Sequence, residues 1–229
     1  MRLIFFLLFS TYFLQAQAIR LGQFDEIKVF DGLRVTIIPS EVDSLVVEGE
    51  NKEYLSVKNK NGRLYLRLKL NKKLSGFNTS IALFTSNTLE LIDANEGSFV
   101  SCQDVLFQSS IVLKTQEGAE IDALLDVQKV STKTISGGIV NLKGAAVTQY
   151  HRLSAGGVVN GASLDSEQAT VKVKAGGKAA IKASELVEAT VSFGGNIQIY
   201  GEPKKIIKKV AVGGSIDIIE TVAEIKKNE

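Results

Sequence analysis

The chain has 229 residues, 45% of them apolar, and 27 basic against 25 acidic side chains give a formal net charge of +2. That balance excludes any global electrostatic argument for nucleic acid or for an anionic membrane. A single cysteine, Cys102, excludes a disulfide framework, and a single histidine, His151, leaves any Ser-His-Asp or Cys-His site one imidazole to use.

The chain begins MRLIFFLLFSTYFLQAQA: Arg2, an apolar run, then Ala16-Gln17-Ala18 in the small-x-small pattern of a signal-peptidase site. The run from Leu3 to Leu14 is too short for a bilayer core of about 30 Å at 1.5 Å per residue, which favours a cleaved leader over an anchor. Residues 1–18 are read as a signal peptide and residues 19–229 as the exported mature chain, with no transmembrane segment. No cysteine follows the run, so lipid anchoring is not expected.

Residues 19–75 read as N-terminal strands that cap the downstream repeats or form their irregular first coils. FDEIKVFDGLRVTIIP and DSLVVEGE have strand alternation, and YLSVKNKNGRLYLRLKL places strands on either side of Asn61-Gly62, a type I′ hairpin signal. NKKLSGFNTS reads as a loop.

Residues 76–229 read as repeat coils. Paired glycines start at Gly137, Gly156, Gly176, Gly194 and Gly213, separated by 19, 20, 18 and 19 residues, and the single glycines Gly97 and Gly118 continue the beat upstream. A fixed period of this length marks a solenoid, here of about seven coils. Strands of period 2 flank each pair, as in SFGGNIQIYG, so Gly137-Gly138, Gly156-Gly157, Gly176-Gly177, Gly194-Gly195 and Gly213-Gly214 are expected corners. A second corner is expected near Gly144, Gly161, Ala183 and Gly201. The reading is an all-β parallel β-helix, in which each coil protects its neighbour's edges. No Pro-, Ser- or Gly-rich linker divides the chain, so residues 19–229 are taken as one domain, and the charged end TVAEIKKNE as a terminal guard.

FDEIKVFDGLRVTIIPSEVDSLVVEGENKEYLSVKNKNGRLYLRLK, then glycine-cornered repeats, then GGNIQIYGEPKKIIKKVAVGGSIDI resemble the head GIN domain family, autotransporter-type adhesins of Bacteroidetes-type bacteria. IYGEPKKI followed by a glycine pair is the most specific piece. The resemblance implies a right-handed β-helix, export to the periplasm or cell surface, and no established catalytic residues. The chain is too short to hold a long membrane-barrel translocator as well.

No HExxH, paired CxxC, P-loop or GxSxG pattern occurs. His151, in TQYHRLSAGG, is expected to be a surface or turn residue, and Cys102, in SFVSCQDVLF, a buried core thiol. No cofactor or metal is expected. Alignment of the repeats on the first glycine of each pair puts Lys133, Arg152, Lys172, Thr190 and Lys209 in one outward column. It reads as a soluble face with edge-protecting lysines, or as a basic strip for an anionic polymer such as a surface polysaccharide. Asp165 and Glu185 form a short acidic column that lacks the ligand count for calcium and is expected to pair with Lys204 or remain solvated. Asn141, Asn160, Ala180, Gln198 and Asp217 form a further column, suited to hydrogen bonds between coils.

Three function classes are compatible with these features: a non-catalytic envelope or surface protein, adhesin-like, binding or structural; a carbohydrate-binding or polysaccharide-cleaving β-helix protein; and a component of a signalling or stress-response system. The partners considered are a surface glycan, an envelope protein and a second copy of the chain, with no nucleic acid.

Overall fold

The computed structural model describes residues 18–220. The leader and the terminal guard TVAEIKKNE lie outside the described residues. The protein is all-β, a β-solenoid of about seven turns. Its first strands are β1 (Ile19–Arg20), β2 (Glu26–Val29), β3 (Arg34–Pro39), β4 (Ser44–Gly49), β5 (Leu55–Lys60), β6 (Arg63–Leu68), β7 (Thr79–Thr85), β8 (Leu91–Ala94) and β9 (Phe99–Cys102). Then come β10 (Leu106–Thr115), β11 (Glu120–Ile135), β12 (Ile139–Ser154), β13 (Val158–Lys174), β14 (Lys178–Lys182), β15 (Leu186–Phe193), β16 (Asn196–Tyr200), β17 (Lys205–Val212) and β18 (Ser215–Ile218).

The first coil in the chain is not at the end of the stack. β2 and β3 turn about Asp31-Gly32, with φ of 62° and 77°. β2 pairs in parallel with both β6 and β8, and β3 with both β7 and β9. Residues 26–39 are therefore sandwiched between a coil made later in the chain and the start of the regular repeats. Beyond β6 and β7 the pairing becomes antiparallel: β5 returns along β6 through Asn61-Gly62, whose φ of 51° and 82° are those of the expected hairpin turn. β4 runs antiparallel to β7, and β1 adds to β4. This layer covers the N-terminal strand edges, which would otherwise offer unpaired backbone groups.

From β10 to β18 the recorded strand pairs are parallel. The alternation of the sequence becomes a stack of like positions. Ile81, Val35, Val100, Ile121, Val140, Val159, Ala179, Ile197 and Ile216 lie in register across nine strands, and all but Ile216 are buried. Each large aliphatic side chain so buried contributes about 1.5–3 kcal/mol of transfer free energy, which only stacking can recover, since one coil alone leaves both its edges and half its core wet.

The corners carry two left-handed residues in succession. In the earlier coils these are Glu117-Gly118, Ser136-Gly137, Ala155-Gly156 and Ala175-Gly176; in the last two they are Gly194-Gly195 and Gly213-Gly214. Where the turn occupies the residue before the pair, the second glycine instead makes room for the neighbouring coil. A Cβ on Gly138 would sit 2.7 Å from Thr115 Oγ1, and one on Gly157 2.6 Å from Thr134 Oγ1.

The expected second corner is different. β12 and β13 run unbroken through Gly144 and Gly161, so these are bends within long strands. The strands break there in the last coils, between β14 and β15 and between β16 and β17, and also in the coil that opens the regular repeats, between β9 and β10. A register shift opposite Leu142 inserts one residue beside Gly161, which explains the 20-residue repeat. The break after β14 shortens the next repeat to 18, as Gln168 pairs with Leu186.

Candidate functional site

The outward columns become ladders. Lys133, Arg152, Lys172, Thr190 and Lys209 stand in register on five adjacent strands. The ladder continues upstream through Lys114, Asp93 and Lys28. These three also stand four residues before a glycine, namely Gly118, Gly97 and Gly32. The signal was present in the sequence, at single glycines outside the paired-glycine alignment. Neighbouring rungs are about 4.8 Å apart.

At the upstream end the ladder neutralises itself: Lys28 Nζ lies 2.8 Å from Asp93 Oδ2, and Asn95 Nδ2 donates to Asp93 Oδ1 at 3.1 Å. Beyond this pair, Lys114, Lys133, Arg152 and Lys172 are four successive cations, none within 4 Å of a carboxylate among the described residues. Lys133, Arg152 and Lys172 are exposed and Lys114 is half-buried. Two unit charges about 4 Å apart in water repel by about 1 kcal/mol, so this arrangement carries a standing cost that an anionic ligand would relieve.

Shallow depressions border the ladder. One of about 590 Å³ is lined by Lys114, Ser131, Lys133, Tyr150, Thr170 and Glu188 among others. Another of about 260 Å³ lies beside Ile135, Ser154, Lys174 and Ser192. Tyr150 is 41% exposed, and Lys129 Nζ sits 5.1 Å from its ring centroid, which holds an aromatic platform at the ladder's edge.

His151 corrects the sequence reading. It is 1% exposed, in the middle of β12, not at the surface or in a turn. Its position five residues before Gly156 has inward parity, and that parity outweighs the polarity of the ring. Gln149 Nε2 donates to Ser166 Oγ at 2.7 Å and to the Lys182 carbonyl at 2.8 Å, which turns Gln149 Oε1 toward His151 Nε2 at 2.7 Å. His151 therefore donates from Nε2 and accepts at Nδ1 from the Thr132 hydroxyl, 2.8 Å away. Burial pushes the imidazole pKa down to about 3, so the ring is neutral and fully engaged. Thr132 and Thr134, five and three residues before Gly137, share this inward parity and are buried despite their hydroxyls.

Cys102 is half-buried against the core, and burial, aided by the nearby Asp122 carboxylate, pushes its thiol up to about 12. Such a thiol is a poor nucleophile. The acidic column is neutralised rung by rung, Asp165 by Lys182 at 2.7 Å and Glu185 by Lys204 at 2.8 Å. The asparagine column hydrogen-bonds at its upstream end, where Asn160 Nδ2 donates to Asn141 Oδ1 at 2.7 Å and Asn141 Nδ2 to Asp122 Oδ1 at 2.5 Å. Among the described residues no group of three or more His, Cys, Asp or Glu side chains could hold a metal ion, and no helix is long and apolar enough to cross a membrane.

These features define a class: a β-solenoid with an unneutralised cationic ladder on one face. Residues 23–203 match the family model described as "Putative auto-transporter adhesin, head GIN domain", and the chain belongs to that family. Among solved structures it is similar to a "putative adhesin" of Bacteroides fragilis, with a TM-score of 0.81 and 20% identity over 89% of this chain and 95% of that one. A "putative adhesin" of Parabacteroides distasonis has a TM-score of 0.71 at 19% identity, covering 89% and 95% of the two chains. A "putative lipid binding protein" of the same species has 0.66 at 15%, covering 89% and 96%. At these identities the likeness establishes a shared fold. No curated protein matches the chain significantly.

Proposed function

We propose that the protein is exported and acts in the cell envelope or at the surface as a non-catalytic binding solenoid, whose basic ladder takes an anionic ligand. The run Lys114, Lys133, Arg152 and Lys172 carries this reading, because the fold pairs the acidic column rung by rung and leaves these four cations without a carboxylate within 4 Å among the described residues. The family's adhesin description and the neighbours of that name support a binding role. The leader supports export.

Polysaccharide cleavage is the weaker reading. Glu188 is the only carboxylate lining the 590 Å³ depression, and paired-carboxylate chemistry needs two. His151, beneath it, has both ring nitrogens occupied.

The test compares the wild-type mature chain with a Lys133→Gln/Arg152→Gln/Lys172→Gln variant on immobilised polyuronate, at low and at physiological salt. A Lys52→Gln/Lys58→Gln/Lys60→Gln variant of the N-terminal hairpin region serves as control. Salt-sensitive retention that is lost only in the ladder variant is expected. Equal retention of all three proteins, or none for the wild type, would refute the reading. Export is tested separately by mass spectrometry of the envelope-fraction protein, for which Ile19 is the expected first residue.

A further inference from the structure

The ladder has a direction and a chemistry beyond its charge. Its cations lie one per coil along the solenoid axis, perpendicular to the strands. The in-register column beside it is Val112, Ser131, Tyr150, Thr170 and Glu188. On the other side stand Ile135, Ser154 and Lys174. The middle of the strip thus alternates cations with hydroxyls. The four cations span about 14 Å, three steps of the sheet spacing.

We infer that the ligand is a linear acidic polysaccharide lying along the solenoid axis, with one carboxylate per sugar residue seated on successive rungs from Lys114 to Lys172. The inference rests on the reading of the ladder as a ligand face. An extended sugar chain advances by about one sheet spacing per residue, so successive uronates can meet successive coils. Arg152 offers a carboxylate a two-pronged donor, and the lysines offer point charges. The hydroxyls of Ser131, Tyr150, Thr170 and Ser154 match sugar hydroxyls, which charge alone would not require.

Two other polyanions fit less well. Single-stranded nucleic acid needs successive aromatic platforms for its bases, and the aromatics beside the run are Tyr150 on one side and Phe30 on the other, at its upstream end, which form no succession. An anionic lipid surface would add apolar insertion to charge, and the apolar side chains beside the strip, Val112, Ile135 and Phe30, are half-buried and do not project for that purpose.

The test is calorimetric titration of the mature chain with oligogalacturonates of one to eight residues. Neutral galactan, oligothymidylate of matched charge, and phosphatidylglycerol vesicles are titrated in parallel. Affinity is expected to rise roughly a hundredfold from one to four residues and then level off. The Lys133→Gln/Arg152→Gln/Lys172→Gln variant is expected to lose this rise while melting as the wild type does. A Ser131→Ala/Thr170→Ala variant is expected to lose uronate affinity but to keep its weak hold on oligothymidylate. Ladder-dependent binding without the rise to four residues, or with equal affinity for oligothymidylate or vesicles, would overturn the aligned-polysaccharide inference and leave the ladder as a ligand face. Oligogalacturonate affinity unchanged in the ladder variant would overturn both.

Discussion

His151 is the residue at which side-chain chemistry and strand parity disagree, and parity prevails. Its pKa of about 3 lies below the ordinary 6.5, so between those values the unfolded chain takes a proton that the folded chain refuses. Stability therefore falls as pH drops from 6.5 toward 3. In urea unfolding from pH 7 to 4.5, a His151→Leu variant is expected to show a flatter pH dependence than the wild type. It should also lose about 1–3 kcal/mol at pH 7, because Thr132 and Gln149 are left unpaired. Parallel pH profiles for the two proteins would contradict the buried neutral ring. Glycine positions separate by the same reasoning. Gly137 has φ of 73° and open space where a Cβ would be, whereas a Cβ on Gly144, at φ of 100°, would lie 2.1 Å from the Leu125 carbonyl oxygen. Gly137→Ala is expected to cost about 1 kcal/mol and Gly144→Ala at least about 3 kcal/mol, measured by chemical denaturation. Equal costs would refute the distinction between corner and bend.

At the scale of the strand, the period of 2 made the repeats legible. The rule that odd offsets from the corner glycine face the core places Val140, Val159, Ile181 and Ile197 correctly, and fails at Phe193, 64% exposed one residue before Gly194, and at Asp165, exposed nine residues after Gly156. It did not reveal that β12 and β13 pass unbroken through their second glycines, because a bend and a corner place the same demand on glycine. Nor did it reveal that β2 and β3 lie inside the stack: the roughly 50 residues between Pro39 and Leu91 conceal the beat, although Asp31-Gly32 is a corner like Glu96-Gly97. The basic ladder was visible where glycines are paired, and its Lys114 end was missed where they are single. Between coils, Asn141 ties β12 to β11 and β13 through its contacts with Asp122, Glu120 and Asn160. Asn141→Ala is expected to cost about 1–2 kcal/mol and to lower hydrogen-exchange protection in β11 and β13 as well as β12. An effect confined to β12 would show that the side-chain ladder does not couple the coils.

At the scale of the molecule, the sandwiched first coil interleaves the N-terminal part with the later strands. Deleting residues 19–75 removes β2 and β3 from between their neighbours and strips β7 of both its partners, β3 and β4. The fragment 76–229 is expected to lack a cooperative thermal transition by circular dichroism, and a sharp transition would contradict the interleaved topology. The solenoid also sets the charge pattern: a fixed coil length turns a sequence habit, a base four residues before a glycine, into a strip along the axis. Lysine footprinting reads that strip directly. The mature chain is labelled with an amine-reactive reagent with and without polyuronate, and modification is mapped by mass spectrometry. Lys114, Lys133 and Lys172 are predicted to be protected together, while Lys58, Lys60 and Lys204 react as before. Protection spread evenly over the surface, or confined to lysines off the ladder, would contradict the account.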